Sequence, residues 1–433
     1  MKKLYLILGT FLFMTACVED LDQFPSNIAS SDSLTDFSGV LNAAYFYQHG
    51  SVTPMAVMGD FRADNALMEE EPFPAFDRYD GDLVDMEDQF FGPFYTALYR
   101  SILSANNVIE NASSTTQVGE ARFLRALSYF KLVRAFGDVP VNLSATPSTT
   151  DQSILARQPI GDVYNNVIIP DLEDAIAALG TEIVNGRASR YAAQGMLGKV
   201  YMQIGDFGSA ESQLAAVVNG AAAAGISLQD NFADIFGVEN DLNSEIIYAT
   251  QISSSIVDEY GFSEFWSWSG GLDTKSLLPL DPDLIAAFDA SPGDLRRAVT
   301  INEELMASPK FPQTGGPDHD WIELRLADVI LLYAEALNEN GNTAAALTEL
   351  NKIRTRAGLD NSTASSQAEV RQAIADERRL ELAFEGQRWF DLVRTGTVDA
   401  EMGQTINPQY HLFPIPISEV LASFGVITQN PGY

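Results

Sequence analysis

The chain is poorest in the residues that most often do chemistry. Its 433 positions hold one cysteine, Cys17, and three histidines. A single thiol excludes any disulfide within the chain and any cysteine-ligated zinc site. His49, His319 and His411 lie far apart without ligand spacing, and no HExxH, GxSxG or phosphate-cradling glycine loop occurs. Positive charge is scarce as well: 26 Lys and Arg face 59 Asp and Glu, a formal net charge of −33. Without a cationic footprint to displace counterions, nucleic acid and anionic lipid headgroups are excluded as main ligands, and polyanionic substrates are disfavoured. The clusters Asp77, Asp80, Asp82 and Asp318, Asp320 lack the glycine placement and acidic twelfth ligand of an EF-hand loop. No cofactor or metal is expected.

What is present begins with a short leader. Lys2 and Lys3 precede an apolar run from Leu4 to Met14, and Thr15-Ala16 set small residues before Cys17. A run this short is a signal sequence and not a span. We read residues 1–16 as a signal peptide and Cys17 as a lipidation site. Residues 17–36 then form a polar tether, and attachment to the membrane is through the anchor only. No later stretch is long and apolar enough to cross a bilayer. With 46% hydrophobic residues, the remainder can bury a large core.

That remainder, 37–433, reads as mostly α-helical. In RLADVILLYAEALNENGNTAAALTELNKI, apolar residues recur at three- and four-residue steps on both sides of Gly341-Asn342. The spacing Ala334–Ala346–Leu350–Ile353 recurs as Gly198–Ala210–Leu214–Val217, with Gly205 at the equivalent turn. Small residues at both crossings of a helix hairpin are the tetratricopeptide pattern, in which stacked hairpins bury one another's apolar faces. Helix pairs are expected near 37–136, 161–223 and 325–394, with a short strand at Glu245–Thr250. Two regions, near 52–93 and 225–318, show no sustained period and read as long irregular loops on this scaffold, where binding usually sits.

Candidate binding residues come from those loops. Trp266 and Trp268 lie in a Ser/Gly-rich run beside Tyr260 and Phe265; if the run is extended, both indoles point to one side. Indole faces stack on the apolar C–H faces of sugar rings, and polar neighbours hold the hydroxyls. The second set is Phe76, Arg78 and Tyr79 with Asp64 and Asn65. Glu381 and Glu385 invite a glycosidase reading, yet carboxylates four apart on one helix face the same way and cannot flank a glycosidic bond. An ion-pair lattice over Phe384, Trp389 and Phe390 is the expectation there.

Several stretches together resemble one family. They are GEARFLRALSYFKLVRAFGDVP, DLEDAIAAL with GRASRYAAQGMLGKVYMQIGDF, ERRLELAFEGQRWFDLVRTG, and the tail HLFPIPISEVL…ITQNPGY. In order and nearly end to end, the chain resembles the SusD/RagB outer-membrane nutrient-binding lipoproteins. The resemblance implies four tetratricopeptide-like units with ligand loops on one side. It also implies a surface-anchored, non-catalytic subunit that captures an oligosaccharide, in some members a peptide, and passes it to a TonB-dependent SusC-like transporter. The acidic Val18-Glu19-Asp20-Leu21-Asp22 is similar to the export signal that places such lipoproteins on the outside of the outer membrane in Bacteroidetes. The chain is short for the family, and no motif transfers a binding residue one by one. A helical-repeat adaptor without a small ligand is the competing reading.

Overall fold

The protein, seen as a computed structural model, is described over residues 34–148, 150–184, 186–252, 261–267, 278–312 and 319–433. The signal peptide, Cys17 and most of the tether lie outside those residues.

Eleven helices of eight or more residues carry the described architecture: α1 (Ser38–Tyr47), α2 (Gly92–Asn111), α3 (Thr115–Phe136), α4 (Ile169–Ala178), α5 (Arg190–Ile204), α6 (Phe207–Gly220), α7 (Pro282–Asp289), α8 (Leu326–Glu339), α9 (Thr343–Arg356), α10 (Gln367–Glu381) and α11 (Arg388–Thr395). From α1 to α6 each packs on the next; α6 then meets α8, α8 pairs with α9, and α10 lies across both. The result is a mostly α-helical, tetratricopeptide-like stack.

The hairpins form where the spacing places them. Ser189 caps α5 by accepting the Ala192 N–H at 3.1 Å, and α5 ends at Gly205 with φ +77°. Asp206 at once caps α6 through the Ser209 N–H at 3.1 Å, so a two-residue turn reverses the chain. A Cβ on Gly198 would sit 2.5 Å from the Leu214 side chain, which is why the crossing takes a glycine. Gly341, at φ +85°, makes the α8–α9 turn, and Ala334, Ala346, Leu350 and Ile353 are all fully buried between those helices.

Minor β structure supplements the stack. Strands β1 (Val139–Pro140) and β2 (Arg157–Gln158) form one antiparallel pair, and β3 (Ile246–Thr250) and β4 (Trp321–Arg325) another, with Thr250 opposite Trp321. β4 runs straight into α8, so the sheet and the last hairpin share one backbone.

The region 52–93 departs from expectation. It is a succession of short helical turns, Val52–Ala56, Val57–Phe61, Ala75–Arg78, Gly81–Met86 and Glu87–Phe91, and every residue from 52 to 66 is buried. Over 52–66 apolar periodicity is missing because the segment is enclosed on all sides, which leaves no solvent face to set a rhythm. Gly59 and Gly386 make the enclosure possible: a Cβ on Gly59 would lie 2.2 Å from the Gly386 backbone.

Candidate functional site

Most of the aromatic residues expected to face ligand are core. Trp266 lies in a short helix, Phe262–Ser267, and not in an extended run. It is completely buried, stacked on Phe61 (centroids 4.6 Å apart, planes 4° apart) and packed on Phe384 at 4.5 Å. Phe265 is buried beside it against Phe61, Phe73 and Phe90, and Phe76 is buried between Phe90 and Phe91. The Tyr79 ring lies over Trp389 and under the Arg62 guanidinium, and its hydroxyl donates to the Arg62 carbonyl at 2.8 Å. The expectation of an exposed platform at Trp266, Phe265, Phe76 and Tyr79 is therefore corrected. Aromatics joined to Ser and Gly look like a binding loop in sequence, but here they meet aromatics from distant segments and are used up in packing.

Asp64 and Asn65 are likewise engaged. Asp64 accepts from Arg388 through two 2.7 Å hydrogen bonds, which with Arg379 hold its carboxyl below the ordinary range although burial pushes the other way. Asn65 donates to Asp60 at 3.2 Å and accepts from Arg379 Nε at 3.1 Å. Asp60 also receives the Phe384 and Gly386 N–H groups at 3.1 and 2.7 Å; burial still outweighs these three donors and pushes its carboxyl up to about 7. Arg78 does reach solvent, paired with Glu71 and Asp82. Tyr260 and Trp268 lie outside the described residues.

Glu381 and Glu385 sit in the expected ion-pair lattice, but not on one helix as expected: α10 ends at Glu381, and Glu385 lies in the turn beyond it. Arg325, fully buried, donates to Glu245 at 2.8 Å, to both Glu385 oxygens at 2.7 and 2.8 Å and to Glu381 at 2.5 Å. Lys310 adds a 2.7 Å bond to Glu385, and Arg296 one of 2.9 Å to Glu381. Two carboxylates so clamped and so deeply buried have neither a free proton nor substrate access, which is poor geometry for acid/base work.

An open cleft of about 270 Å³ is bounded by the α5–α6 turn, α8, α10 and α11. Asn65, itself buried, lies at its edge and is the one expected site residue that lines it. Five arginines line it, and each is matched. Arg371 pairs with Glu339, Arg394 with Glu335 and Asp391, Arg378 with Asp328 and Asp391, Arg388 with Asp64 and Glu401, and Arg379 with Asp64. Met202, Phe207, Leu382 and Leu392 supply an apolar wall. The sequence pattern marks faces within single helices, such as Glu335 and Glu339 four apart or Asp391 and Arg394 three apart; nothing in it says that α10 and α11 stand opposite α8.

Fold and site together define a class: an α-helical repeat protein with an internally neutralised charged interior and no catalytic constellation among the described residues. Family profiles narrow this. Residues 296–433 match the profile described as SusD family, and residues 17–202 match that described as starch-binding associating with outer membrane. The chain belongs to the SusD/RagB family. SusD-like protein P2 of Formosa agariphila is 26% identical, with all of both chains covered. The starch-binding protein SusD of Bacteroides thetaiotaomicron is 23% identical over 77% of this chain and 76% of its own. Among solved structures, a SusD superfamily protein from B. thetaiotaomicron has a TM-score of 0.78 at 24% identity over 93% of this chain and 100% of that one. A laminarin-binding SusD-like protein has a TM-score of 0.77 at 25% identity over 92% and 99%.

Proposed function

We propose that this chain is a glycan-binding lipoprotein of the outer membrane. In this reading residues 1–16 are removed, Cys17 carries the lipid, residues 17–36 are the tether, and 37–433 form one body facing the exterior. The body captures an oligosaccharide and hands it to a TonB-dependent SusC-like transporter without catalysing a reaction. The observation that carries the reading is the near-complete match to a laminarin-binding relative of the same fold. The family description of association with the outer membrane supports the location, and among the described residues no helix is long and apolar enough to cross a membrane. The clamped Glu381 and Glu385 support binding over hydrolysis.

With Trp266 withdrawn into the core, the ligand surface of this proposal rests on Trp268, Tyr260 and the exposed Arg78. The test is a glycan array on the full-length lipoprotein, followed by titration of the best ligand against Trp268→Ala and Tyr260→Ala. Stacking contacts are worth about tenfold in affinity each, so the double variant should bind far more weakly. If no glycan binds while a SusC-like transporter is still captured, the adaptor reading replaces this one; selective binding of peptides would change the ligand class.

A further inference from the structure

We propose that the cleft between α8, α10 and α11 is a second saccharide site, taking one or two neutral sugar residues. This rests on the glycan-binding reading above and adds a place of contact built from described residues.

Size comes first. A volume of about 270 Å³ suits a small molecule, whereas a docking helix with its side chains is a cylinder roughly 10 Å across. Charge comes second. The cleft gathers five of the chain's 26 basic residues, yet every guanidinium already faces a carboxylate. A charged ligand would have to break one of these pairs and leave a partly buried charge uncompensated. A hydroxyl breaks nothing. A carboxylate oxygen accepts more than one hydrogen bond and a guanidinium has five N–H groups, so pairs such as Arg371–Glu339 and Arg394–Glu335 keep donors and acceptors for a polyol. Gln372 and Thr395, both exposed, add an amide and a hydroxyl at the mouth.

Rigidity comes third. The same ion pairs tie α8 to α10 and α11, through Arg371–Glu339 at 2.6 Å and Arg394–Glu335 at 2.6 Å, so the polar groups are fixed before ligand arrives and little ordering cost remains. Phe207, half-buried on the opposite wall, offers the one aromatic face among the lining residues for the C–H side of a pyranose.

The experiment is saturation-transfer NMR and calorimetry on the full-length lipoprotein in detergent. The probes are maltose, laminaribiose, cellobiose, mannobiose and xylobiose, with a uronate disaccharide and a tripeptide beside them. Ala375→Trp, which fills the cleft, should weaken the best neutral disaccharide at least about tenfold, and the milder surface variant Gln372→Ala severalfold. Thermal melting checks that each variant is folded. The proposal is overturned if Ala375→Trp and Gln372→Ala both leave disaccharide affinity unchanged, or if the uronate or the tripeptide binds tenfold more tightly than any neutral sugar. Were the wild-type protein to bind no glycan of any length, the functional reading would fail and this site with it. Glycan binding that is indifferent to the cleft variants would overturn the cleft alone.

Discussion

Trp266 shows how little a side chain's identity says about its task. Its indole is fully buried between Phe61 and Phe384, so truncation opens a cavity in the core. Trp266→Ala is expected to destabilise the protein by about 3–5 kcal/mol in urea unfolding. Trp266→Phe should cost much less, because the indole N–H has no hydrogen-bond partner to lose among the described residues. An unaltered unfolding midpoint for the alanine variant would contradict the packing. Asp328 gives a second test at this scale. Burial pushes its carboxyl up, but Lys199 at 2.8 Å and Arg378 at 2.8 Å outweigh it and bring it down to about 2 from 3.8. A depressed folded value means that the unfolded chain binds the proton first as pH falls. The stabilisation is therefore complete above pH 4 and lost between about 4 and 2, some 2 kcal/mol in all. Asp328→Asn should be less stable at neutral pH and flatten the acid limb of a stability–pH curve over that window.

At the scale of elements, local signals explain the helix hairpins and fail for the aperiodic regions. The two ends of α5 and the start of α6 follow from a serine, a glycine and an aspartate in sequence, and the side chain of Ser189 is itself buried. Ser189→Ala should lower stability by about 1 kcal/mol through the lost cap, measurable by thermal or denaturant unfolding, and leave glycan affinity unchanged. Region 52–93 has no comparable signal. Its short turns are held by partners far along the chain: Arg62 donates to the Tyr410 carbonyl at 2.9 Å, and Asp60 accepts from the 384–386 bend. Such contacts cannot be read from spacing, and so a buried segment looks like a loop.

For the molecule as a whole, the acidic surface and the neutralised interior are separate facts. The net charge of −33 belongs mostly to solvent-facing carboxylates, while inside, Arg325 joins β4 to Glu245 beside β3, to Glu381 of α10 and to Glu385 beyond it. Replacing Arg325 by Met removes the one cation that these three buried carboxylates share, leaving only Arg296, Lys310 and Arg356 to offset them. A loss of about 3–5 kcal/mol, or failure to fold, is expected in equilibrium unfolding. A variant as stable as wild type would show that the lattice is not what joins the sheet to the last hairpins.

The repeat scaffold, the hairpin turns and the family are legible in the chain alone, because each depends on residues near in sequence or on motifs that recur in order, whereas the clamping of Glu381 and Glu385 comes from the distant Arg296, Lys310 and Arg325. The burial of the candidate aromatics came from packing between distant segments. Trp266 and Phe76 carry the same local signature as ligand-stacking residues, and their burial depends on Phe61, Phe90 and Phe384 arriving from elsewhere. The cleft has the same origin. Its arginines and carboxylates are legible as charges on helices, but a concavity exists only once α10 and α11 lie across α8, and local propensity does not encode that placement.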